Sequence, residues 1–151
     1  MGLDMYLSKK TYVQRWDHQS PEETYNVEVT QGGNSVDHIQ PNRVSYVEEQ
    51  VGYWRKANAI HKWFVDNCQD GVDDCRDAYA ERRDLQTLLD LCRIVIIDKS
   101  KAEQLLPSTS GFFFGNTEYD EWYYNDIQNT IEILEKALED EDGDYYYSSS
   151  W

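Results

Sequence analysis

Two stretches of this chain concentrate side chains able to do chemistry. Tyr53-Trp54-Arg55-Lys56-Ala57-Asn58-Ala59-Ile60-His61-Lys62-Trp63-Phe64 packs aromatic, basic and amide groups into a dozen residues. Gly111-Phe-Phe-Phe-Gly-Asn-Thr-Glu-Tyr-Asp-Glu-Trp-Tyr-Tyr124 does the same with aromatic and acidic groups. If the two face each other, Trp54, Arg55, Lys56 and His61 meet Phe113, Glu118, Asp120 and Trp122 in a polar pocket with aromatic sides. Such a pocket suits a small planar ligand, nucleotide-like in character, or a peptide. The competing reading makes the aromatics core and the charges ordinary rim pairs.

Other constellations point to less. His61, Cys68 and Cys75 are spaced by seven and seven. A zinc site needs tight knuckles that bring two thiolates to one ion, and no fourth ligand is evident. The reading is no metal and no cofactor, with His61 a satisfied histidine beside an apolar helix face. The run Asp140-Glu-Asp-Gly-Asp144 opens like a calcium loop, yet the twelfth position, which needs a bidentate Glu, is Trp151. No nucleophile elbow, zincin helix or phosphate-binding glycine loop is present. Scattered acids and histidines leave a metal-dependent hydrolase conceivable, but no motif demands it, so the balance leans away from an enzyme.

The elements that must position these groups read as α+β. Leu3, Met5 and Leu7 alternate with polar residues as in a half-buried strand, with Thr11 to Val13 as an extension. Thr24 to Thr30 alternates again; Val36 to Ile39 and Val44 to Val47 are shorter candidates. About three of these form a small N-terminal antiparallel sheet, packed with about three helices. From Gly52, Tyr53, Ala57, Ile60 and Phe64 fall on one helical face, ending near Gly71. Asp84 caps a second helix with the stripe Leu85, Leu88, Leu89, Cys92, Val95 and Ile96, continuing irregularly to Leu106. A last helix, capped by Thr117, runs from about Glu118 to Glu139 with Tyr119, Tyr123, Ile127, Thr130, Ile131, Leu134, Ala137 and Leu138 facing the core. Residues 1–139 read as one domain and 140–151 as a mobile, acidic, Tyr/Ser-rich tail.

Charge narrows the partners. The chain of 151 residues carries 14 Lys and Arg against 29 Asp and Glu, net −15. Residues 107–151 hold one basic and 11 acidic groups. This excludes sequence-independent nucleic-acid binding and docking on an anionic membrane, both of which need a basic surface. A basic partner would be attracted, in a salt-sensitive encounter. No apolar run approaches the length of a membrane span, the opening residues do not read as a signal peptide, and three cysteines are best read as free thiols. A cytoplasmic protein is expected.

The start Met1-Gly-Leu-Asp-Met-Tyr-Leu7, the run from Tyr53 to His61, the loop Gln69-Asp-Gly-Val-Asp-Asp-Cys75 and the run from Gly111 to Trp122 resemble a family of small proteins from phages and prophages. The resemblance covers most of the chain up to about Asp140. It implies a genomic setting, that of an infected or lysogenic bacterium, and no activity or site residues. Phage accessory proteins of this size often inhibit host machinery or host defence. With the charge, the resemblance implies an anti-defence inhibitor working as a nucleic-acid mimic. Glu132, Glu135, Glu139, Asp140, Glu141, Asp142 and Asp144 would enter the basic groove of a nucleic-acid-binding host or defence protein. The alternative is the small-ligand binder, or sponge, built around Trp54 to His61.

Overall fold

The computed structural model describes residues 2–151. It is α+β: four helices, a four-stranded antiparallel sheet and a two-stranded ladder. Strand β1 (Asp4–Tyr12) is central and pairs on one side with β4 (Tyr46–Arg55), from Asp4 opposite Arg55 to Tyr12 opposite Tyr46. On its other side lies β6 (Asp144–Ser150), which also pairs with the short edge strand β5 (Ala78–Ala80). The strand order is therefore β4-β1-β6-β5.

Alternation decides the faces. Met5, Leu7, Trp54, Ala80, Tyr145 and Tyr147 are buried beneath the helices. Tyr53 and Tyr79 are exposed on the opposite face, where Tyr6 packs against Tyr53 and Tyr79 against Tyr146. Helix α1 (Asn58–Cys68) contributes Ile60 and Phe64 to the core. Helix α2 (Arg82–Ile97) contributes Leu85, Leu88, Leu89, Cys92 and Val95. The short α3 (Ala102–Leu105) adds Ala102. Helix α4 (Glu121–Ala137) contributes Tyr123, Ile127, Thr130, Ile131, Leu134 and Ala137, six of the eight residues its periodicity assigns to the core. Packing of α4 on β4 needs Gly52: a Cβ there would sit 2.7 Å from Ile133 Cγ2.

Four expectations are corrected. The helix expected from Gly52 begins only at Asn58, because Tyr46–Arg55 is paired to β1 along its whole length. Lys56, in a left-handed conformation (φ 57°), makes the break between strand and helix. Thr24–Thr30 and Val36–Ile39 are not strands, apart from Thr30 itself; a two-residue ladder, β2 (Thr30–Gln31) with β3 (Asn34–Ser35), stands in their place. The alternating Tyr25 and Val29 are exposed, with no layer to bury them. The caps of α2 and α4 are Glu81, in a reciprocal box with Asp84, and Asp120 rather than Thr117.

The fourth correction is the largest. The segment 140–151 is not a mobile tail: it holds β6, inserted between β1 and β5, with Tyr145 and Tyr147 essentially inaccessible to solvent. Arg82 donates to the carbonyls of Leu138 and Asp140, fastening the end of α4. Gly143 (φ +101°) then turns the chain against Lys9, where a Cβ would approach to 2.9 Å. No helix among the described residues is long and apolar enough to cross a membrane.

Candidate functional site

A cavity of about 350 Å³ opens between the β4–α1 turn and the first half of α4. Arg55, Lys56, Asn58, Glu118, Trp122, Tyr123, Asp126 and Ile127 are among its lining residues. The turn is built by backbone bonds: Lys56 N–H donates to Leu3 O and Asn58 N–H to Lys56 O. Buried Asn58 then clasps the opposite wall. Its amide donates to the carbonyls of Phe114 (3.1 Å) and Asn116 (2.8 Å) and accepts from Thr109 N–H (3.0 Å). Every hydrogen-bonding position but one is thus taken, so Asn58 holds the wall.

The α4 wall is anchored equally firmly. Asp120 caps the helix by accepting from Tyr123 N–H, and the Tyr123 hydroxyl donates to Leu106 O at 2.7 Å. Beneath the cavity, Trp54 Nε1 donates to Thr130 Oγ1 (2.9 Å), whose hydroxyl donates to Asp126 O (2.7 Å). The turn of helix bearing Asp126 is therefore fixed from below.

Four side chains in this frame have no such role. Arg55 and Lys56 make no ion pair among the described residues, although Lys9, Lys62, Arg76, Arg83 and Arg93 all do. Trp122 lies 67% exposed on the rim, and Glu118 is exposed beside it. Asp126 adds a fifth unsatisfied group: it is half-buried and receives no side-chain hydrogen bond among the described residues. Burial, reinforced by the charge of Asp120, pushes its carboxyl up to about 6. Arg55 and Lys56 reach the cavity from the β4–α1 side and Asp126 from α4. The site is bipolar, with cations from one side and the Asp126 carboxyl from the other, Glu118 as a second carboxylate in the lining and an indole at its mouth.

The pocket expected from sequence is thus brought together in part. Arg55, Lys56, Glu118 and Trp122 line it. Asp120 stands behind as the helix cap. Trp54 is core, 2% exposed. Phe113 lies outside the lining, edge-on to Phe112. His61 belongs to a second network. Its Nε2 lies 2.8 Å from Asp73 Oδ2 and its Nδ1 2.6 Å from the Tyr147 hydroxyl. A carboxylate only accepts, so Nε2 donates to Asp73; in the neutral ring Nδ1 then accepts from Tyr147. Trp151 Nε1 donates to the other oxygen of Asp73 at 3.0 Å, and Phe114 packs edge-on to both His61 and Trp151.

Asp126, Tyr123 and Asn58 were not singled out by sequence reasoning as site residues. A signal for Asp126 existed: it lies three residues after Tyr123 and four before Thr130, an acid on the edge of an apolar helix face.

The seven acidic residues read as a partner surface divide. Glu135 pairs with Arg93 at 3.0 Å, and Asp140 with Lys9 at 2.7 Å. The hydrogen bond from Lys9 holds the Asp140 carboxyl below its usual range. Asp144 opens β6 opposite Lys10. Glu132, Glu139, Glu141, Asp142 and Asp144 are exposed and make no ion pair among the described residues. The thiols of Cys68 and Cys92 are pushed up to about 12 by burial, which suits packing rather than reactivity. Among the described residues no three His, Cys, Asp or Glu side chains gather as a metal site. No family model, curated protein or solved structure matches this chain.

Proposed function

We propose that the protein binds a small, planar, anionic ligand of nucleotide-like character in the cavity between Arg55 and Asp126. The observation that carries this reading is a pair of adjacent, unpaired cations beside an exposed indole, in a concave site on a chain of net charge −15. Five of the 14 Lys and Arg, namely Lys9, Lys62, Arg76, Arg83 and Arg93, make ion pairs among the described residues; Arg55 and Lys56 do not, and they are neighbours in the lining of one cavity. Two adjacent unpaired cations at a concave site, above a floor fastened by hydrogen bonds, form an anion-binding end, and Trp122 offers a face for a planar ring. The volume of about 350 Å³ lies at the lower end of the range for small-molecule sites.

Thermal denaturation against a panel of nucleotides and other planar anions tests the reading. A true ligand at about a hundredfold excess over its Kd adds about 2.7 kcal/mol of apparent stability, a rise of several degrees in Tm. Arg55→Ala should abolish that rise. A panel without a single shift overturns the reading.

A second reading is favoured by the five unpaired carboxylates at Glu132, Glu139, Glu141, Asp142 and Asp144. They would supply an acidic surface for a basic, nucleic-acid-binding host or defence protein, in the phage or prophage setting that the sequence resemblance implies. Reversing all five charges should then abolish a salt-sensitive capture; unchanged capture excludes this surface.

A further inference from the structure

The carboxylic end of the cavity narrows the ligand further, and the inference rests on the pocket reading above. We propose that Asp126 recognises the edge of a planar heterocycle bearing two adjacent N–H donors, as on guanine, while Arg55 and Lys56 hold the same ligand's anionic group. Three observations converge. Asp126 lines the cavity half-buried, with no donor from the protein among the described residues. Its backbone is held through Thr130 and Trp54, so the side chain cannot leave by a shift of the helix. Of the other polar groups of the frame, the Tyr123 hydroxyl is taken by Leu106 O and the Asn58 amide by Phe114, Asn116 and Thr109, which leaves exposed Glu118 as the other open carboxylate.

A carboxylate that is half-buried, open to the cavity and without a protein donor among the described residues is placed to be completed by a ligand. Its two oxygens lie side by side, and the fitting ligand edge presents two parallel donors. A ring between Asp126 and the cations would stack on Trp122, which stands on the same helix four residues earlier. An anion alone would use only the cationic end, and a ligand edge made of acceptors would be repelled by the carboxylate.

Titration calorimetry with GMP and IMP isolates the claim, because the two nucleotides differ in the guanine amino group. GMP should bind the wild type at least tenfold more tightly than IMP, since a site built for a donor rejects the analogue lacking it. Asp126→Asn should shrink that ratio to near unity, with IMP affinity changed less than GMP affinity. Arg55→Ala should weaken both nucleotides alike. Equal affinity of GMP and IMP for the wild type, or a ratio that survives Asp126→Asn, overturns the assignment to Asp126 while leaving an anion pocket standing. Failure of both nucleotides to bind overturns the assignment too, and the wider panel of planar anions then decides whether the pocket reading falls with it.

Discussion

Residues from one short stretch, Arg55 to His61, serve two polar regions that obey opposite rules. At His61 every polar group is closed: Asp73, His61, Tyr147 and Trp151 satisfy one another in a chain of hydrogen bonds. The Tyr147 ring also stacks on Phe64 with centroids 4.0 Å apart. Toward Asp126 the walls are equally well fastened, but the groups that face the cavity, Arg55, Lys56 and Asp126, are left open. A closed network contributes to the fold, because each member would be costly to bury alone. An open set gives up stability in order to meet something else. His61, expected from sequence in the pocket, falls in the closed region, and Asp126, on a helix, falls in the open one.

Substitutions can break or sharpen this contrast. The largest effect is expected from His61→Ala, which leaves the Tyr147 hydroxyl buried without a partner and opens a cavity against Phe114. A loss of about 3 kcal/mol, read by urea denaturation, follows from the unsatisfied hydroxyl and the void together. A smaller loss, about 1–2 kcal/mol, is expected for Tyr147→Phe, which keeps the ring stack but leaves the buried Nδ1 of His61 without its donor. If either variant instead bound nucleotide less well at unchanged stability, the two regions would be one site. Unaltered ligand binding in a folded Tyr147→Phe protein would keep them separate.

Much of this arrangement was legible in the sequence, and the failures have physical causes. The α4 core face and the α2 stripe follow directly from apolar spacing, because each helix buries one face against a layer that exists. Tyr53 and Trp54 look helical in sequence because Tyr53, Ala57, Ile60 and Phe64 continue the period of α1. The break falls at Lys56, a left-handed residue with no glycine or proline to announce it. Strand β6 was missed for a different reason. Tyr145, Tyr147 and Ser149 face inward while Tyr146, Ser148 and Ser150 face outward, so the same residue types occupy both faces and leave no hydrophobic contrast to read. Of the pocket, the cations and Trp122 were anticipated from the density of charged and aromatic groups. Asp126 was not, since an acid beside an apolar stripe looks like an ordinary boundary residue until the opposite wall is in place.

The measurement that tests the contrast most directly is the stability of Asp126→Asn across pH 4 to 8, by urea denaturation without ligand. Burial and Asp120 raise the folded carboxyl from 3.8 to about 6, so the folded state holds this proton more tightly than the unfolded chain does. Its contribution favours folding below about pH 4 and is lost as pH rises to 6. At pH 7.5 the variant should therefore be more stable than the wild type, by about 1–2 kcal/mol after discounting for solvent screening of the half-exposed group. That gain should fade as the pH falls toward 4. A variant less stable than the wild type at pH 7.5 would mean that Asp126 already has a partner within the fold, and that the open end of the cavity is architecture after all.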